Sequence, residues 1–139
     1  MRNAKLLSLP IVVTLIGSLF LTVYSLTPRA VPWSVAGGKL QIHASVWSDD
    51  FPLGEMQLEQ TRILDLNREP GWRPQTRIRG FHGFGLNAGR FKLQNGQSVY
   101  LYLAAETTAV LITRRGDVPV MVGVSDPNVF LTALKNAAK

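Results

Sequence analysis

Two histidines, His43 and His82, and the adjacent aspartates Asp49 and Asp50 are the residues whose types could support metal or acid–base chemistry. The aspartates follow His43 by six and seven positions, close enough to bring carboxylates to a shared cation, but neither the histidine spacing of a zinc site nor a glycine-bounded calcium loop accompanies them. Asp49 and Asp50 therefore read as turn residues bonding to the backbone. No Gly-x-Ser-x-Gly elbow presents a serine, and a hydrolytic triad would have to recruit one of only two histidines. The chain has no cysteine, which excludes disulfides, thiolate metal sites and cysteine nucleophiles together. The run Gly80-Phe81-His82-Gly83-Phe84-Gly85 lacks the lysine of a phosphate loop and leads into a strand, so no helix N-terminus stands behind it to hold a phosphate. The expectation is a protein with no catalytic residue, no metal and no cofactor.

Binding chemistry is better represented. Trp72–Phe91 (WRPQTRIRGFHGFGLNAGRF) interleaves arginines with aromatics, and such neighbours are enriched at interfaces. Arg73, Arg77 and Arg79 have odd spacing, which puts all three on one side of an extended chain. They are the candidate surface for an anionic ligand or partner. Phe81, Phe84 and Phe91 are assigned to the core. The formal net charge of +6 invites a nucleic-acid reading. However, Arg2, Lys5 and Arg29 flank an apolar segment, and the excess on the remaining residues is small for a duplex binder. No nucleic acid is expected.

That apolar segment, Leu6–Leu26 (LLSLPIVVTLIGSLFLTVYSL), carries no charge. At about 1.5 Å per residue it reaches about 31 Å as a helix, matching a hydrocarbon core of about 30 Å. Residues 1–5 then form a basic flank, 6–26 a transmembrane helix and 27–38 (TPRAVPWSVAGG) a juxtamembrane linker, with Trp33 at the interface. The competing reading is a signal peptide cleaved after Ser34-Val35-Ala36. The apolar run is longer than the usual signal core of about 7–15 residues, and the site lies well beyond it, which favours the uncleaved anchor. Arg2, Lys5 and the free amine outweigh Arg29 and Lys39 on the opposite flank by one charge. This predicts N-in, with the C-terminal domain on the extracytoplasmic side of a bacterial inner membrane.

From Lys39 onward, short apolar runs alternate with turn residues, the rhythm of antiparallel sheet. Lys39–Trp47 is the first predicted strand, ended by Ser48–Gly54; Leu58–Leu66 is the second, and a third lies near Gln75–Gly80. The glycines at 80, 83, 85 and 89 predict bends or bulges where strands pass closely. Asn95-Gly96 predicts a hairpin through a type I′ turn, with Val99, Leu101 and Leu103 on one face and Tyr100 and Tyr102 on the other. Val118, Val120, Val122 and Val124 alternate into a last strand. Ser125-Asp126-Pro127 then predicts a helix start, with Phe130, Ala133, Leu134 and Ala137 on its buried face.

The sequence resembles a bacterial pleckstrin-homology (PH) family. The likeness rests on DDFPLGEM after the first strand, RIRGFHGFGLNAGRFKL, SVYLYL, VLITRRG and the closing VSDPNVFLTAL, in that order across Lys39–Lys135. It implies a mainly β fold: a PH-like barrel of about seven antiparallel strands, capped by a C-terminal helix, over 39–139. It also fits an N-terminal membrane span, and it supplies no catalytic residue. The expected function is that of a membrane-anchored, non-catalytic binding or scaffold module for a protein partner in or near the membrane. Recognition of anionic phospholipid head groups is the alternative, since a fold alone does not fix a ligand.

Overall fold

The computed structural model describes residues 13–14, 18–19, 30–44 and 47–139. The expected membrane-spanning segment, residues 6–26, lies outside the described residues apart from helical Val13, Thr14, Ser18 and Leu19. No helix among the described residues is long and apolar enough to cross a membrane. The other described residues are mainly β, with nine strands and one C-terminal α-helix among them.

Strands β1 (Trp33–Ala36), β2 (Lys39–Ala44) and β3 (Trp47–Pro52) make a three-stranded antiparallel sheet in sequence order. A six-stranded sheet follows, made of β4 (Arg62–Asp65), β5 (Pro74–Gly83), β6 (Leu86–Leu93), β7 (Ser98–Leu103), β8 (Thr108–Ile112) and β9 (Val120–Gly123). Its order is β4-β8-β9-β7-β6-β5, and β7 runs parallel to β9 while every other pair is antiparallel. The expectation of about seven strands, all antiparallel, is corrected by two strands at the front of the domain and by the insertion of β9 between β7 and β8.

Both extra strands come from segments whose sequence reads as something else. Residues 27–38 look like a linker, yet Trp33–Ala36 pairs with β2 across Gly37-Gly38, whose φ angles of 60° and 72° suit a two-residue hairpin. Trp33, expected at a membrane interface, packs edge-on against Phe130 with ring centroids 4.8 Å apart. The candidate cleavage motif Ser34-Val35-Ala36 therefore lies inside a paired strand. Residues 48–52, expected to break the first strand, form β3 instead: Trp47, Asp49 and Phe51 face inward and Ser48, Asp50 and Pro52 face solvent. This is the period of two that a sheet face imposes.

The six-stranded sheet is buried on both faces. One face carries Tyr102, Val110, Ile112, Val120 and Val122 against Leu40, Ile42 and Phe51 of the smaller sheet. The other carries Phe91, Leu93, Val99, Leu101 and Met121, with Trp72 packed beside them. The predicted division of Val99, Leu101 and Leu103 from Tyr100 and Tyr102 holds, because each set belongs to a different cluster. Val120, Val122 and Val124 are core as expected, while Val118 lies half-buried in the preceding loop.

Helix α1 (Pro127–Ala137) closes the first face. The Asp126 carboxylate accepts from the amides of Asn128 and Val129, capping donors that have no partner within the helix. Pro127 starts the helix at the position where its missing N–H is harmless. Phe130 and Leu134 are fully buried, whereas Ala137, predicted on the same face, is exposed in the last turn.

Candidate ligand and partner surface

The β5–β6 hairpin holds the sequence's most distinctive stretch. Gly80 and Gly89 stand directly opposite each other, and a Cβ added to either would meet the facing backbone at 2.2–2.4 Å. Two of the four glycines thus permit the close strand approach that their spacing predicts. The turn at the tip is Phe84-Gly85, with φ of 49° and 75°, which is the backbone of a type I′ hairpin. By contrast, the Asn95-Gly96 hairpin is made differently from the expectation. Among the described residues Phe84 alone of the non-glycines has positive φ. Asn95 is therefore excluded from the type I′ geometry, and its carboxamide instead accepts from the amide of Gln97.

Phe84 is expected in the core, but it is 73% exposed. A bulky residue in the left-handed region is a strained outlier, worth about 1–3 kcal/mol, and such strain is concentrated at ligand and partner sites. Phe81 is half-buried and Phe91 fully buried, so the core assignment holds best for Phe91.

The three arginines singled out by spacing do not share a face. Arg73 precedes β5, where its Nε donates to the carbonyl of Leu66 (2.9 Å) and its Nη2 to Oδ1 of Asn67 (2.9 Å). It ties the β4–β5 connection together. Arg77 pairs with Phe91 and Arg79 with Arg90, with a register shift between them. Directly opposed residues share a face, so the bulge sends Arg77 to the side of Phe91 and Arg79 to the side of Arg90 and Tyr100. Strict alternation fails here because an extra residue, Ile78, enters β5.

Arg79 instead joins a cleft of about 240 Å³ lined by Trp47, Asp49, Gly89, Arg90 and Tyr100. β3 supplies Trp47 and Asp49, and β5, β6 and β7 supply the rest. Asp49 is held by the indole Nε1 of Trp47 (2.7 Å) and the hydroxyl of Tyr102, both on the same carboxylate oxygen. Arg114, 7% exposed, lies over the rings of Phe51 and Tyr100, each centroid 5.1 Å away. Its charge is met by Asp117 at 3.1 Å and Glu55 at 3.8 Å, and its Nε donates to the carbonyl of Val118. Arg79 and Arg90 have no such partners: among the described residues neither side chain makes a hydrogen bond or an ion pair, and Nε of Arg90 is buried. Arg90, Trp47 and Tyr100 carry no local signal that would single them out, and Asp49, singled out for metal or acid–base chemistry, joins them only through sheet pairing and sheet packing.

Burial drives the Tyr102 phenol far above its ordinary value near 10, and the hydrogen bond to Asp49 and its negative charge add to the shift. The neutral phenol is thus favoured in the folded state. In the unfolded chain Tyr102 ionises from about pH 10 upward, so the stabilisation is complete below that pH and is lost as pH rises through the alkaline range. The expected slope is about 1.4 kcal/mol per pH unit. Urea titrations at stepped alkaline pH should show this slope, and Tyr102→Phe should flatten it. An equally steep decline in the variant would refute the assignment.

Neither histidine sits in a catalytic arrangement. His43 Nε2 is 2.9 Å from Oγ of Ser34, whose hydroxyl also lies 3.2 Å from Oε1 of Gln41. One proton cannot serve both acceptors. With Gln41 taking it, Ser34 accepts from the imidazole, which is the reverse of a nucleophile handing its proton to a base. His82 bonds to the side chain of Asn87 across the hairpin. No three of His, Asp and Glu come together as a metal site among the described residues. Asp49 is not the turn residue expected, since its partners are side chains of β3 and β7. No family model, curated protein or solved structure matches the chain.

Proposed function

We propose that this chain is a non-catalytic binding or scaffold module, anchored in the bacterial inner membrane by residues 6–26, that presents a PH-like domain to a protein partner in or near the membrane. The domain lies on the extracytoplasmic side. The mainly β fold and the docking of Phe130 and Leu134 of α1 support the PH-like reading, while the parallel β7–β9 pair departs from its all-antiparallel plan. Tethering by a short linker raises the domain's effective concentration toward other membrane components, so a modest contact surface suffices.

The observation that carries this reading is Phe84. A 73% exposed aromatic held at φ 49° on a hairpin tip is conformationally unfavourable and gains nothing from the protein's own core. Glycine there would relieve the backbone, so the ring needs an external reason. A buried aromatic anchor is the commonest high-energy element of a protein interface. The hairpin's outer strand β5 also exposes Ile78, an apolar neighbour beside the arginines.

The alternative is anionic phospholipid recognition, favoured by exposed Arg77 and Arg79 on β5. One experiment separates the two. A photoreactive amino acid in place of Phe84, in full-length protein in native membranes, should crosslink to a discrete protein band, and the same probe at Glu59 should not. Crosslinking to lipid alone would transfer the reading to the alternative, and indistinguishable patterns from both positions would defeat it.

A further inference from the structure

We infer that Arg79 and Arg90 form a receptor for a single carboxylate, carried by an aspartate or glutamate in an extended segment of the protein partner. This rests on the binding-module reading and names the chemistry of the partner.

Two like charges, Arg79 and Arg90, stand directly opposite each other on β5 and β6, an arrangement that disfavours the sheet unless something neutralises it. Asp49 in the same cleft offsets one of the two charges, and no ion pair among the described residues meets the other. Arg114, in the same neighbourhood, has ion-pair partners in Asp117 and Glu55 and gives its Nε to a backbone carbonyl, although its Nη2, like Nε of Arg90, is buried without a hydrogen bond; the side chains of Arg79 and Arg90 have no ion-pair partner among the described residues. Nε of Arg90 is buried and unpartnered. Both arginine side chains line the cleft, and a guanidinium matches a carboxylate in shape. The cleft also contains Trp47 and Tyr100, rings that provide apolar walls for the aliphatic part of an acidic side chain.

The charge balance selects the anion. Asp49 lines the same cleft, and both of its recorded contacts, Trp47 and Tyr102, are on one oxygen. Two arginines against this one carboxylate leave a single positive charge. One added carboxylate neutralises it. A phosphomonoester, at about −1.5 to −2 near neutral pH, would overcharge a cleft that already contains a carboxylate. The same balance disfavours a phospholipid head group bearing a monoester phosphate.

The backbone selects the carrier. β5 is the last strand of the six-stranded sheet, so one of its edges has no strand partner among the described residues. It is ten residues long, interrupted by bulges at 74–76 and 77–79 and lined with exposed Arg77, Ile78 and Arg79. Bulges and positive charge are the usual defences against indiscriminate edge pairing. An extended segment of opposite charge satisfies them: it adds to the edge through main-chain hydrogen bonds and places an acidic side chain beside Arg79.

The test uses the full chain in neutral detergent with ¹⁵N-labelled arginine, reading the Nε–H signals of Arg79 and Arg90. The probes are N-acetyl-glutamate methylamide, its glutamine counterpart and inorganic phosphate. The glutamate compound should move the Arg90 signal saturably and the glutamine compound should leave it in place. Arg79→Gln should weaken the glutamate response about tenfold or more, as expected for a lost charge-assisted hydrogen bond, and Lys135→Gln, at an exposed position of α1, should leave it nearly unchanged. Absence of a saturable response to glutamate, or a tighter response to phosphate, would overturn the inference. Because the crosslink from position 84 is read separately, a protein crosslink with no carboxylate response removes only this inference. A carboxylate response without a protein crosslink removes only the partner reading.

Discussion

Gly89→Val should unfold or severely destabilise the domain, by more than about 3 kcal/mol. Gly89 has φ +128°, where any L side chain is strained, and a Cβ there would lie 2.4 Å from the carbonyl oxygen of Arg79 and 2.7 Å from Cα of Gly80. These contacts are with backbone, so no rotamer change relieves them. Relief would require β5 and β6 to separate at the middle of the hairpin that forms one end of the six-stranded sheet. Alanine would suffer the same Cβ clash, with valine adding further bulk. Gly116→Ala is the contrast, because Gly116 also has positive φ (+70°) but nothing within 4 Å of an added Cβ, and its penalty should stay near 1 kcal/mol. Urea denaturation followed by tryptophan fluorescence measures both. A Gly89→Val protein with the midpoint of the parent would show that the two glycines do not face each other.

The second large effect is expected at Phe130. Truncation to alanine should remove about 3–5 kcal/mol, the usual range for a fully buried phenylalanine. Its ring is completely buried and meets Trp33 edge-on at 4.8 Å, so one side chain fastens α1 to the sheet and to β1 together. Pairing with β2, the contacts of Ser34 with Gln41 and His43, and the bond from the Val31 amide to the Glu106 carboxylate (2.7 Å) are further ties of that N-terminal strand. Phe130→Ala should therefore raise amide exchange in β1 as well as in α1. Val129→Ala, at a position 57% exposed on the same helix, should change stability by no more than about 0.5 kcal/mol. Equal losses from the two variants would contradict the docking of α1 through Phe130.

The surface around Arg79 shows how far residue spacing carries and where it stops. Alternation along Arg77 and Arg79 is a sound rule for an unbroken strand, and it failed because a bulge is a property of the pair β5–β6 and not of β5 alone. Phe84 illustrates the same limit. An aromatic next to two glycines is ordinarily core, and its exposure arises because the two-residue turn falls on Phe84-Gly85, the position where the chain reverses. In Asn95-Gly96 the hairpin was legible but its turn geometry was not, since Asn95 is held by contacts outside the turn: its amide donates to the carbonyl of Gly71 at 2.8 Å.

Local physics was enough wherever a residue's role depends on its immediate neighbours. The start of α1 at Ser125-Asp126-Pro127, the buried valines of β9, the two faces of β7 and a close strand approach within the glycine-rich stretch 80–89 follow from periodicity, cap chemistry or the absence of a Cβ, and were readable from the amino acids in order; that Asp126 is the cap and that Gly80 and Gly89 are the facing pair was not. The tertiary structure alone decided that Trp33–Ala36 is a strand, that β9 inserts between β7 and β8, and that Arg79 meets Arg90 beside Asp49 while Arg73 and Arg77 go elsewhere. Those outcomes depend on which strands pair and in what register. Pairing is set by burial summed over residues far apart in the chain, so it leaves no mark at any one of them.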